Sequence, residues 1–129
     1  MRSKFMGKLP DGITRALIIK KHWLDMIFDG KKAWEIRGSD TKIRGRIGLI
    51  ESGSGLIIGE CNLFGTFPIV KTDHGCVDHH GIKNWHDVVK YDSPHAWVFM
   101  RSKRYDKPIP YKHTQGAVIW VNLEGRVWK

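Results

Sequence analysis

Short apolar runs alternate with polar or glycine-bearing breaks along the chain, and their spacing separates strands from helices. Between Arg15 and Lys20, Ala16 to Ile19 are all apolar, as in a strand covered on both faces. Trp23, Leu24, Ile27 and Phe28 then recur at helical spacing, with Asp25 and Asp29 off that face, which predicts a short helix closed by Gly30. Lys32 to Arg37 reads as a second strand. Arg46 to Ser52 and Leu56 to Phe64 read as a hairpin, joined through Ser52-Gly53-Ser54-Gly55. Pro68 to Gly81 is the least regular stretch. Asn84, followed by Trp85, Val88 and Val89, predicts a second helix capped by Asn84, with Asp87 in its first turn and an end near Asp92-Ser93-Pro94. Ala96 to Met100 and Ala117 to Leu123 predict two further strands, with Pro108-Ile109-Pro110 extended between them. In the last strand Ala117, Ile119, Val121 and Leu123 share one face, and Val118, Trp120 and Asn122 the other.

Five or six strands with two short helices predict an α+β, mainly β domain, most simply a small closed barrel. The length of 129 residues suits one such domain, expected over residues 15–129. Residues 1–14, with Gly7, Pro10, Asp11 and Gly12, read as an irregular N-terminal arm. A composition of 41% hydrophobic and 27% charged residues excludes a disordered chain. The longest aliphatic runs, Ala16 to Ile19 and Leu56 to Ile58, fall far below the ~18 residues of a membrane span. No apolar signal core follows Met1-Arg2-Ser3-Lys4. Two cysteines, Cys61 and Cys76, exclude a disulfide framework, so the expected location is the cytoplasm.

Charge adds a partner class. The formal net charge is +9, with 22 Lys and Arg against 13 Asp and Glu. Residues 1–46 carry a balance of +7, residues 47–100 one of −3, and residues 101–129 one of +5. If the two basic ends meet in space they form one basic face, fit for RNA or another single-stranded nucleic acid. Scattered solvated charge is the alternative.

The chemistry concentrates in Gly30-Lys31-Lys32-Ala33-Trp34-Glu35-Ile36-Arg37-Gly38. A glycine turn there can present the lysines and Arg37 to a phosphate or a carbonyl oxygen. Glu35 can accept from a base amino group or move a proton. Strict alternation puts Lys32, Trp34 and Ile36 on one face and Ala33, Glu35 and Arg37 on the other, so Lys32 and Glu35 share a site only if the turn reorients Lys32. A surface ion pair among these residues is the plain alternative.

Gly30-x-Lys32-x-x-Glu35-x-Arg37 resembles the GxKxxExR signature of the ASCH domain family, the activating-signal-cointegrator homology domains. Ala16 to Asp29, Gly45 to Ile50, Ile58-Gly59-Glu60-Cys61, His95-Ala96-Trp97-Val98 and Pro110 to Val121 are similar to further segments of that family, so the resemblance spans roughly residues 15–123. It implies a PUA-like β-barrel of five or six strands with short helices at its rim. It also implies a nucleic-acid cleft lined by Lys32, Glu35 and Arg37. Some relatives look like ribonucleases, which would make Lys32 and Glu35 catalytic. A compact bacterial relative is an amidohydrolase acting on 4-acetylcytidine; its lysine aligns with Lys32, but its nucleophilic threonine falls at Glu35, and a carboxylate is no substitute for an activated hydroxyl. A hydrolase, a reader of a modified base and a binder of an anionic metabolite remain alternatives. No cofactor is implied.

Supporting contacts are expected from Lys31, from Trp23 and Trp34 as stacking platforms or core, and from Tyr111, Lys112 and His113 beside the last strand. His74, Cys76, Asp78, His79, His80 and His86 have the residue types of a zinc site but no paired ligand spacing, so no metal is predicted.

Overall fold

The computed structural model describes residues 9–69 and 76–127. In chain order the elements are β1 (Arg15–Ile19), α1 (Lys21–Phe28), β2 (Trp34–Arg37), β3 (Gly45–Glu51), β4 (Leu56–Pro68), α2 (Val77–His80), α3 (Trp85–Val88), β5 (His95–Pro110) and β6 (Trp120–Asn122). The six strands form one sheet in the order β2-β5-β4-β3-β1-β6. All pairs are antiparallel except β1 with β3, which run side by side from Ala16↔Gly48 to Ile19↔Glu51.

The sheet curls until its two ends face each other. The Trp97 ring of β5 stacks on the Trp120 ring of β6 with centroids 5.9 Å apart. Arg37 of β2 reaches the Ile18 carbonyl of β1. Among the described residues no backbone ladder joins β2 to β6 or β1, so the expected barrel has a seam crossed by side chains rather than by strand pairing.

Both sheet faces are buried, as the unbroken apolar run of β1 predicts. Leu17 and Ile19 join Leu24 and Ile27 of α1, Ile47, Leu49, Leu63, Trp97 and Phe99 in one cluster. Ala16 joins Ile50, Ile57, Ile109, Val121 and Leu123 in another. Ile13 is buried in this second cluster, so part of the predicted arm packs on the core; residues 1–8 lie outside the described residues. A third cluster, with Ile36, Ile82, Trp85, Val89 and Ala96, packs the α2–α3 segment against β2 and β5. At that scale, burying each large aliphatic side chain contributes about 1.5–3 kcal/mol.

Several element predictions need correction. The strand expected over Ala96 to Met100 and the extended Pro108-Ile109-Pro110 belong to one strand, β5, and the stretch expected to be least regular holds the one-turn helix α2. The last strand is three residues long, not seven: Val118 and Ile119 are exposed at the sheet edge, and before Trp120 the pairing with β1 is reduced to the Ile119 carbonyl, which accepts from Ile18 N–H at 2.8 Å. The helix after Asn84 is a single turn, and Asn84 makes no side-chain cap bond, since its backbone is not in the extended conformation a capping side chain needs. Lys32 and Ala33 precede β2 instead of opening it.

Candidate functional site

Everything at the site depends on how the chain leaves α1. Gly30 has φ 79°, the left-handed conformation that ends a helix, and Lys31 N–H then bonds back to the Met26 carbonyl. The turn swings Lys32 out of the alternation of β2. Its ammonium lies buried, 2.7 Å from the His80 carbonyl oxygen, to which it donates. It lies 3.6 Å from Glu35 Oε1 and 4.7 Å from the Trp23 ring centroid. Glu35 is also buried. Its Oε2 accepts from Arg37 Nε at 3.2 Å and from an Arg37 terminal nitrogen at 2.9 Å, a two-pronged guanidinium contact. Glu35 and Arg37 share a face by alternation, and Lys32 arrives by the turn.

These groups bound a cavity of about 270 Å³ at the seam. Ile18 and Lys20 come from the end of β1, Trp23 from α1, Ser52 from the turn after β3, and Val118 from the edge beside β6. Ile82, Val88, Val89 and Tyr91 close the other side. Gly38, the residue after the motif, lies under the Tyr91 ring; a Cβ there would sit 2.6 Å from a ring carbon, so only glycine lets Tyr91 form that wall. The volume lies just below the ~300–1,000 Å³ typical of ligand pockets, a size for one small group such as a nucleoside.

Burial pulls the Lys32 ammonium below its ordinary pKa, with the Glu35 carboxylate opposing the shift. A lysine displaced toward its neutral form beside a carboxylate can pass a proton, and its charge can polarise a carbonyl or phosphoryl oxygen.

A family model described as ASCH domain matches residues 17–125. The chain belongs to the ASCH domain family. Solved structures agree in fold. The crystal structure of the ASCH protein of Zymomonas mobilis is 16% identical, with a TM-score of 0.57, covering 84% of this chain and 86% of that one. A tyrosine-to-phenylalanine mutant of it is 15% identical at a TM-score of 0.59, covering 84% and 88%. A serine-to-alanine mutant gives 15% and 0.59, covering 89% and 91%. No curated protein matches.

In this ASCH domain the other candidate residues divide. Trp23 lines the cavity, but its ring already carries the Lys32 ammonium and meets His22 edge-on at 4.6 Å. Trp34 is outside the cavity lining, stacked on His79 at 4.4 Å and edge-on to Phe67 at 4.9 Å. Lys31 and Lys112 are exposed and outside it too. Tyr111 and His113 line an adjoining hollow that shares Ile18, Ser52 and Val118 with the first cavity. The Tyr111 hydroxyl is 2.8 Å from His113 Nδ1, and His113 Nε2 is 3.1 Å from the Ala117 carbonyl oxygen. That carbonyl must accept, so in neutral His113 the proton is on Nε2 and Tyr111 donates to Nδ1. The pair thereby ties down the residues leading to Val118.

Sequence reasoning passed over the His80 carbonyl, Tyr91 and Val118. A backbone acceptor has no sequence signature, and the two side chains reach the cavity only through tertiary packing. Among the described residues no group of three or more His, Cys, Asp or Glu side chains is placed to hold a metal ion; His74 lies outside them. Burial pushes the Cys61 thiol up, which leaves it inert. No helix of the described residues is long and apolar enough to cross a membrane.

Proposed function

We propose that this ASCH domain binds RNA and takes one base of a single strand into the seam cavity. The observation that carries the reading is the convergence of Lys32, Glu35 and Arg37 on one wall of a nucleoside-sized cavity. Glu35 lines the cavity and can accept from an exocyclic amino group, Lys32 offers charge to a carbonyl or phosphate oxygen, and the exposed Lys20 adds a further cation to the lining. Fluorescence anisotropy with short single-stranded RNA tests it: Lys32→Met and Glu35→Gln should weaken binding at least about tenfold while the fold persists. Wild-type affinity for RNA no better than for a neutral polymer would overturn the reading.

One observation favours a hydrolase as the second reading. Lys32, displaced toward neutrality and 3.6 Å from a carboxylate, forms a proton-transfer pair of the kind general acid–base chemistry uses. The substrates to try are labelled RNA and 4-acetylcytidine. Product formation lost in both Lys32→Met and Glu35→Gln supports it; no turnover of either substrate leaves a non-catalytic binder of RNA or of a modified base.

A further inference from the structure

Among the described residues, no cation from residues 101–127 lines the seam cavity. Its lining cations are Lys20, Lys32 and Arg37, and the last two are engaged with Glu35. A second concentration of charge lies elsewhere. Arg15, Lys42, Arg44 and Arg46 line a groove of about 560 Å³ beside Gly12 and Thr14, and among the described residues no carboxylate lines it.

The strand directions place this groove at the far end of the sheet from the cavity. Arg15 opens β1, and Gly45 and Arg46 open the parallel strand β3. Ile18 and Ser52, which line the cavity, come at or beyond the other ends of the same strands. From Arg46 to Ser52 along β3 is six residue steps, roughly 20 Å.

Not all four cations are available. Arg46 pairs with Glu60. Arg44 donates to the Thr41 and Ile43 carbonyls and to the Thr66 hydroxyl, which in turn meets Asp40. Arg44 therefore builds the wall. Arg15 and Lys42 are exposed and have no ion-pair partner among the described residues. A groove of this volume, with guanidinium groups in its wall and two unneutralised cations at its surface, fits a chain of regularly spaced negative charges better than one compact anion.

We infer that this groove is a second nucleic-acid contact, a track for the phosphate backbone that supplies salt-dependent affinity remote from the seam cavity. The inference rests on the reading of the chain as an RNA binder. It divides the labour: backbone charge is held at one end of the sheet and a base at the other.

The test compares wild type, the double variant Arg15→Glu/Lys42→Glu, the double variant Lys83→Glu/Lys107→Glu and Lys32→Met, each against single-stranded RNA of about 20 nucleotides over a salt series. Both double variants change net charge equally and only exposed side chains, and thermal unfolding verifies that all four proteins fold. The groove variant should lose roughly tenfold in affinity, and its salt slope should fall by about 1.4, the share of two single-strand phosphate contacts. The Lys83/Lys107 variant should keep most of both. Equal losses in the two double variants, or no loss in the groove variant, overturn the inference. If RNA binding falls in Lys32→Met alone, the track fails and the seam reading stands. If it falls in the groove variant alone, the seam reading fails and the track stands. No RNA binding by wild type defeats both, and equal affinity for poly-glutamate overturns the assignment to phosphate.

Discussion

Arg37 donates to the Ile18 carbonyl oxygen at 2.8 Å while the same guanidinium holds Glu35. One side chain thus crosses the seam of the sheet and orients the buried carboxylate of the site. Fold closure and site geometry share this contact, which is why the cavity lies where the strand ladder stops. Removing the guanidinium should therefore harm both. Arg37→Met leaves a buried carboxylate with only Lys32 beside it and should cost about 2 kcal/mol in urea unfolding, less than a fully enclosed pair because Arg37 is partly exposed. Arg37→Lys should recover less than half of this, since an ammonium cannot make both contacts.

Lys32→Met should behave differently. Its ammonium is desolvated, so replacing it with an apolar side chain of similar length should change stability by no more than about 1 kcal/mol at neutral pH while weakening ligand binding at least about tenfold. The pH profile gives the sign. With its folded-state pKa held below 10.5, the unfolded chain binds more protons between those two values, so stability contributed by Lys32 rises with pH through that window. Wild type should gain on Lys32→Met as pH is raised from neutral toward 10.5. A flat difference would show that Glu35 fully offsets the burial of the ammonium, leaving its pKa unlowered.

The two tryptophans flanking the motif should separate cleanly. Trp34→Ala should cost about 2–3 kcal/mol, because it removes a ring packed between Phe67 and His79, and should leave affinity per folded molecule near wild type. Trp23→Ala should reduce affinity more than stability, through loss of the cavity wall and of the ring beneath Lys32. Denaturation and anisotropy on the same samples compare them.

Gly81 tests the His80 carbonyl, which no side-chain substitution reaches directly. It has φ 70° after α2, and a Cβ there would press on the Met26 side chain. Gly81→Ala should cost about 1 kcal/mol from backbone strain alone. It should also displace the neighbouring carbonyl and so weaken ligand binding with Lys32 intact.

Tyr111→Phe and His113→Ala should each cost about 0.5–1.5 kcal/mol, and the double variant little more than either, because they remove the same tie to the Ala117 carbonyl.

What the sequence by itself determined is the order of the six strands and of helices α1 and α3, though not α2, and the membership of the motif. The unbroken apolar run of β1, the helical spacing of Leu24 and Ile27, and the turn at Gly30 are local signals, legible because they lie within a few consecutive residues. The pairing of Glu35 with Arg37 was legible because strand geometry repeats every two residues. Tertiary structure alone decided three things: that a left-handed turn brings Lys32 to them, that a carbonyl from α2 holds it, and that the basic residues divide between the two ends of the sheet. Charge has no period. Where Arg15 and Arg46 lie relative to Lys32 depends on which strand ends are neighbours, and that is set by the parallel pairing of β1 with β3.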